Sequence, residues 1–189
     1  LDGYPAGFSW SPDSKTLVYA NYRDVFRVNA DGSGEINLTN SPTGELLPVF
    51  SPDGSQIAYI ALQPVCGDRP EIRVMDVNGA NSRPITFNAE EVSDLAWSPD
   101  GAYLTYVSTQ PMRTSLHAIA AGGGQSELIT GDVGSFAVAP NEKKVAFVQG
   151  GFQRYYDLFT ANLDGSGLTR LTENEYVDQY VWSPDGERL

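Results

Sequence analysis

The chain has 189 residues, of which 41% are apolar and 11% aromatic, a composition that suits a packed core and argues against disorder. Its formal charge of −12 at pH 7 disfavours a nucleic-acid partner, because phosphate binding requires a basic face. Cys66 is the single cysteine, so no intrachain disulfide can form, and no run of 18 apolar residues predicts a membrane span.

One short motif recurs five times along the chain. Its copies are Trp10-Ser11-Pro12-Asp13, Phe50-Ser51-Pro52-Asp53-Gly54, Trp97-Ser98-Pro99-Asp100-Gly101, Val138-Ala139-Pro140-Asn141 and Trp182-Ser183-Pro184-Asp185-Gly186. The serine positions, with alanine in the fourth copy, lie 40, 47, 41 and 44 residues apart. Self-similarity at this period indicates a repeat architecture.

Fixed spacings continue inside each of the first four repeats. An aromatic residue stands eight positions after each serine position, and a glycine turn follows it further along the chain. A threonine stands seven positions after that glycine in each repeat: Thr39, Thr86, Thr130 and Thr172. These regularities predict four equivalent structural units.

Each repeat contains four short segments with strand character. In the second repeat they span 47–50, 56–61, 71–76 and 83–86, and we name the corresponding strands of every repeat A, B, C and D. Proline and aspartate favour a tight turn, and glycine supplies a positive φ, so Ser-Pro-Asp-Gly predicts the A–B turn. No segment shows a helical period with caps, so the chain is predicted to be all-β.

Four antiparallel strands in each repeat of this length are typical of a β-propeller blade. The string aromatic-Ser-Pro-Asp-Gly, followed by Asp-Gly and Leu-Thr, resembles the repeat of TolB-like propellers, a WD40-like repeat family related to the propeller domains of tricorn and prolyl-oligopeptidase peptidases. We predict one domain over 1–189, with blades at 7–40, 46–87, 93–130 and 135–172 and the inner strands of a fifth at 178–189. The partial fifth blade favours a segment of a six- to eight-bladed propeller, while self-association of such arcs through their open edges and a four-bladed closure with a spare hairpin stay open as alternatives.

Length variation falls on one face of the predicted propeller. The A–B and C–D turns keep their spacing and form one face, here called the turn face. The B–C and D–A loops vary in length and form the other, the loop face, where loop-borne recognition is expected. The candidate partner-binding residues there are Glu45, Glu90, Glu91, Asp94, Asp132, Glu173, Glu175 and Asp178 from the D–A loops, with Arg69, Arg113, Arg154 and Tyr155 from the B–C loops.

The sequence offers little for catalysis. His117 is the single histidine, whereas most metal-dependent hydrolases and lyases need several ligands of that kind. Cys66 has no evident histidine neighbour, and no Gly-x-Ser-x-Gly motif is present. We therefore predict no catalytic, cofactor or metal residues.

These observations predict a non-catalytic scaffold that recognises a protein or a small ligand at the loop face. The resemblance implies a periplasmic or extracellular location. Two alternatives stay open: a substrate-gating propeller of a serine peptidase whose catalytic domain lies elsewhere, and a carbohydrate-binding or carbohydrate-cleaving propeller.

Overall fold

The chain folds into short antiparallel strands arranged in four sheets. The computed structural model describes residues 6–62, 70–86, 91–110, 113–150, 156–173 and 175–189, and these contain no helix, hence none that could cross a membrane. The first two sheets consist of β1 (Phe8–Trp10), β2 (Thr16–Ala20), β3 (Val25–Asn29) and β4 (Ile36–Asn37), then β5 (Glu45–Phe50), β6 (Gln56–Ala61), β7 (Glu71–Asp76) and β8 (Arg83–Pro84). The other two consist of β9 (Glu91–Trp97), β10 (Tyr103–Gln110), β11 (Arg113–Ala120) and β12 (Glu127–Gly131), then β13 (Val133–Val138), β14 (Lys144–Gln149), β15 (Asp157–Asn162) and β16 (Thr169–Arg170).

Each sheet is one blade, with its strands in chain order from A to D. The A strands β1, β5, β9 and β13 contact one another from sheet to sheet, so they line the centre of the arc. The prediction of an all-β chain built from four-stranded antiparallel blades is therefore confirmed. Three of the outermost strands, β4, β8 and β16, have only two residues each.

Apolar side chains pack between neighbouring sheets. Val18 and Val25 of the first sheet lie in one buried cluster with Ile57 and Met75 of the second. Similar clusters join the second sheet to the third and the third to the fourth. Full burial of each such side chain contributes roughly 1.5–3 kcal/mol, so the contacts between blades contribute substantially to stability.

The second blade departs from the predicted strand limits at its inner strand. Strand β5 begins at Glu45, two residues earlier than the sequence suggests, and its register with β6 shifts between Leu46 and Val49. Pro48 lies inside this irregularity and cannot donate to the ladder, and Leu47 has a φ of 49°. A β-bulge at Pro48 thus allows the strand to continue although the proline has no backbone amide to donate to β6.

The fifth copy of the motif forms its turn and packs against the fourth blade. The Gly186 amide donates to the Ser183 carbonyl at 2.8 Å, and the Trp182 indole nitrogen donates to the Ala137 carbonyl at 2.9 Å. Trp97 makes the equivalent bond to Val49 at 3.2 Å. Residues 178–189 adopt the turn without a regular strand.

The first blade has an exposed apolar face on the side away from the second blade. Phe8 and Trp10 are 62% and 50% exposed there, whereas Trp97 in the third blade is 8% exposed. The difference arises because the second blade covers Trp97 and no described residue covers the same side of the first. Self-association through this edge stays a prediction.

Candidate binding surfaces

The predicted acidic residues divide into strand residues and loop residues. Glu45, Glu91 and Asp94 belong to the A strands β5 and β9, although the sequence suggested loops. Asp132 lies between β12 and β13 with a φ of 58°, and Glu173, Glu175 and Asp178 follow β16 outside any strand. All of them except Glu45 are exposed.

Glu45 is buried and ties two blades together. Its side chain is 2% exposed and its carboxylate accepts a hydrogen bond from the Val25 amide of the first blade at 3.2 Å. Burial raises the pKa of Glu45, while the bonds from Thr39 and Val25 act in the opposite direction. The carboxylate therefore serves the contact between blades rather than an exposed surface.

Asp94 faces the centre of the arc. Its side chain keeps contact with solvent, yet the surrounding protein desolvates the carboxylate and raises its pKa. Tyr180 is near enough that the charge of Asp94 contributes to raising the pKa of the phenol, mainly raised by burial. The Tyr180 hydroxyl also lies 3.3 Å from the Ser135 hydroxyl. The fourth and fifth repeats thus touch through Ser135 and Tyr180, and the charge of Asp94 in the third repeat acts on the same phenol.

Glu91 and Arg113 lie at the same end of the third blade. Glu91 is opposite Thr109, and Arg113 is opposite Gln110, so they occupy adjacent ends of β9, β10 and β11. Both side chains are exposed. The other predicted residues Glu90, Arg69, Arg154 and Tyr155 lie outside the described residues, as does Cys66.

The exposed acidic residues of the loop face have no cationic partners within the described residues. The ion pairs among the described residues of the whole fold join Lys15 to Asp13, Arg73 to Glu71, Lys143 to Asp100, Lys144 to Glu142 and Arg170 to Asp157. None of these pairs includes Glu91, Asp94, Asp132, Glu173, Glu175 or Asp178. Among the described residues, these six carboxylates are therefore exposed without an ion-pair partner.

The motif that recurs five times has a structural role on the turn face. The Ser98 hydroxyl donates to the Asp100 carboxylate at 2.6 Å and accepts from the Tyr103 amide at 2.9 Å. Ser11, Ser51 and Ser183 make the same pair of bonds. The serine hydroxyl is the largest cause that lowers the pKa of Asp100 to about 2, with help from the Ala102 amide and Lys143. These carboxylates stabilise turns.

A second recurring network, which the sequence reasoning missed, joins strands C and D at the loop face. The hydroxyls of Thr86 and Thr172 accept hydrogen bonds from the strand-C amides of Ile72 and Leu158, at 2.8 and 2.9 Å. The Asp157 carboxylate in turn accepts from Thr172 at 3.1 Å. A spacing in the sequence could have revealed this network, because the acidic residues Asp24, Glu71 and Asp157 each stand eight positions before the glycine of the C–D turn.

The described residues hold no group of three or more metal-ligating side chains. His117 stacks on Tyr106 with 5.2 Å between ring centroids, and its Nε2 lies 3.1 Å from the Ser108 hydroxyl. All three residues belong to β10 and β11 of one blade. The histidine is therefore integrated in the sheet.

Two comparisons find related proteins, and no family model matches the chain. Dipeptidyl-peptidase 5 of Porphyromonas gingivalis is 38% identical over 61 residues, which is 27% of this chain and 9% of that protein. An uncharacterised protein of Agrobacterium fabrum is 27% identical over 89 residues, or 42% of this chain and 30% of that protein. The chain thus matches less than a third of the length of each of these curated relatives.

The similarity to solved structures extends over more of the chain than the similarity to these two relatives. A putative TolB from Agrobacterium tumefaciens superposes with a TM-score of 0.71 at 19% identity, covering 96% of this chain and 71% of the other. TolB from Acinetobacter baumannii gives 0.69 at 19% identity, with 93% and 44% covered. An oligogalacturonate lyase in complex with manganese gives 0.68 at 15% identity, with 96% and 55% covered. The chain has the TolB-like propeller fold, which enzymes and other proteins share.

Proposed function

We propose that the chain is a non-catalytic recognition scaffold whose loop face binds a basic protein partner. The observation that carries this proposal is the set of exposed acidic residues on the loop face that form no ion pair within the described part of the chain. Complementary charge at an interface steers association and selects partners more than it adds affinity. The resemblance to TolB-like propellers supports a periplasmic or extracellular setting for such a partner.

The acidic residues suit this role because they come from several repeats. Glu91 and Asp94 belong to the third blade, Asp132 leads into the fourth, and Glu175 and Asp178 precede the fifth copy of the motif. Glu91 and Asp94 are held on strand β9, whose backbone is already ordered in the sheet, so less entropy is lost at these two positions when a partner docks. A surface built jointly by neighbouring repeats is the usual binding surface of such folds.

The experiment compares single charge reversals on the two faces, with a decalysine peptide as the probe. We expect Glu91→Lys and Glu175→Lys each to weaken binding about threefold, because an exposed charge contributes up to about 1 kcal/mol. The effect should shrink when the salt concentration rises, since salt screens exposed charges. Binding is measured by biolayer interferometry at low and physiological salt.

Glu187→Lys is the matched control. It makes the same change of net charge at an exposed residue beside the A–B turn of the fifth copy, on the turn face. If all three variants weaken binding equally, the probe senses net charge alone and the assignment to the loop face is wrong.

The second candidate function is a propeller that accompanies a serine peptidase domain. The observation in its favour is the match to dipeptidyl-peptidase 5 at 38% identity, although it extends over 61 residues only. The gene sequence beyond Leu189 discriminates between the two proposals, because a Gly-x-Ser-x-Gly segment followed by aspartate and histidine would support the peptidase.

A further inference from the structure

The contact between successive blades follows one pattern on the turn face. The C–D turn of each later blade lies against strand D of the blade before it: Gly79 on Leu38, Gly123 on Ile85, and Gly165 on Leu128 and Ile129. These glycines have φ values of 86°, 91° and 79°. A Cβ at Gly79 would lie 2.5 Å from the Leu38 carbonyl oxygen, so the glycine is required by both conformation and space.

In the first two contacts an arginine bridges the groove between the blades. Arg27 donates from the first blade to the Val77 carbonyl of the second at 3.0 Å, and Arg83 donates from the second blade to the Ala121 carbonyl of the third at 2.9 Å. Val77 and Ala121 are equivalent, since each stands two residues before the glycine of its turn. Arg27 comes from strand C of its blade and Arg83 from strand D of its blade, but they reach equivalent acceptors.

The positions of these arginines correspond to one cross-strand pair in each blade. Arg27 pairs with Ile36 across β3 and β4, and Val74 pairs with Arg83 across β7 and β8. In the third blade the equivalent pair is Ala118 and Glu127. No arginine is present to bridge the third groove from either position.

The third groove is consequently open. A cleft of about 720 Å³ lies between the third and fourth blades, lined by Ala118, Glu127 and Leu163 among others. Leu163 stands two residues before Gly165, as Val77 and Ala121 stand before their glycines. Its carbonyl oxygen accepts no hydrogen bond from any described residue, whereas the equivalent oxygens bind an arginine.

The charges around the cleft favour a cation. Lys143 lies 2.9 Å from the Asp100 carboxylate and Lys144 lies 2.7 Å from that of Glu142, so both lysines are neutralised locally. Glu127 has no ion pair or side-chain hydrogen bond within the described residues, and it lines the cleft at the position that Arg83 holds in the preceding groove. The Tyr103 ring, below the Lys143 ammonium at 5.2 Å, contributes an aromatic wall.

We propose that this groove binds an arginine side chain of a partner polypeptide. The guanidinium donates to the Leu163 carbonyl and pairs with Glu127, in the place that the chain's own Arg27 and Arg83 take in the other two grooves. Arginine suits the site because its planar fork donates several hydrogen bonds while its aliphatic stem packs on Ala118 and Ala120. This site lies on the turn face and is independent of the loop-face proposal.

The test titrates the purified chain with the tripeptide acetyl-Gly-Arg-Gly-amide and follows backbone amide resonances by NMR. We expect saturable shifts at Ala118, Leu163 and their neighbours. Glu127→Arg should weaken binding about tenfold or more, because the new side chain can reach the Leu163 carbonyl and close the groove. Glu127→Gln leaves the groove open but removes the charge, and we expect about threefold weaker binding.

The controls separate the guanidinium from its surroundings. The same tripeptide with citrulline or lysine in place of arginine should bind several-fold more weakly, and Glu187→Arg should bind the arginine tripeptide as the wild type does. The proposal is wrong if the arginine tripeptide shifts no resonance of the groove, if citrulline or lysine binds equally well, or if both Glu127 variants bind like the wild type. Loss of loop-face binding to decalysine would leave this result unchanged.

Discussion

Removing one hydroxyl from the recurring turn tests how the repeat is stabilised. Ser98 is fully buried, and its hydroxyl both donates to Asp100 and accepts from the Tyr103 amide. The variant Ser98→Ala deletes both bonds without changing the backbone. The bond from Ser98 to the carboxylate is charge-assisted. Asp100 keeps its bonds from Ala102 and Lys143 in the variant, so losing the serine bond should cost no more free energy than losing an ordinary hydrogen bond.

The expected cost is about 2 kcal/mol of unfolding free energy. An ordinary hydrogen bond contributes about 1 kcal/mol net, and a partly buried amide left without an acceptor adds a similar penalty. For a chain of this size, 2 kcal/mol lowers the midpoint of thermal unfolding by about 4–8 °C. Urea unfolding followed by tryptophan fluorescence measures the free energy, and calorimetry measures the midpoint.

The control is Ser93→Ala in the same blade. Ser93 is exposed in β9 and makes no side-chain hydrogen bond with the described residues, so its loss should change stability by less than about 0.5 kcal/mol. If Ser98→Ala and Ser93→Ala have equal effects, the hydroxyl does not stabilise the turn and the reasoning fails.

Two further predictions concern the same networks. Thr86→Val keeps the shape of a side chain that is 4% exposed but removes the acceptor of the Ile72 amide, so urea unfolding should show a loss of about 2 kcal/mol, and no loss would refute the role of the threonine. Because folding lowers the pKa of Asp100 from 3.8 to about 2, its contribution is complete above pH 3.8 and is lost as the pH falls through 2. Wild-type stability should therefore decline over that interval more steeply than that of Asp100→Asn, and equal slopes would contradict the assignment.

Local turn chemistry was predictable from the sequence because it depends on residues close together in the chain. The tight turn forms at Ser98-Pro99-Asp100-Gly101, as the conformational preferences of these residues indicate. Strands A, B and C of that blade then pair antiparallel, as predicted. The outermost strands were less predictable. Strand β8 ends at Pro84, before the predicted limit at Thr86, where the Thr86 hydroxyl rather than a backbone carbonyl accepts from the Ile72 amide.

The contacts between blades could not be predicted from a single repeat. The sequence predicted Glu45 to be a loop carboxylate. The structure buries it in a contact with the first blade, where the amide of Val25, twenty residues earlier in the chain, donates a hydrogen bond to it. Nothing in the sequence distinguishes Arg27 and Arg83 from other charged residues, and only the position of the next blade shows that each reaches a carbonyl. Such partners are set by how blades stack, which no local spacing encodes.

The fourth repeat shows how differences between repeats can be interpreted. It replaces serine with Ala139 and aspartate with Asn141, yet the Ala139 amide still donates to the Lys144 carbonyl at 2.9 Å, as the Ser98 amide donates to that of Tyr103. The backbone ladder thus tolerates this loss, and the serine hydroxyl adds stability to a turn that forms without it. The difference at Ala118 and Glu127 is of another kind, because no arginine stands there to bridge the blades, and a carbonyl and a carboxylate at the cleft have no hydrogen-bond or ion-pair partner among the described residues. A departure that only removes a stabilising bond can persist because the other blades supply enough stability. A departure that also exposes a carbonyl and a carboxylate offers complementary groups to a cation, and this is the reason why we propose a binding site in the groove between the third and fourth blades and not in the first two grooves.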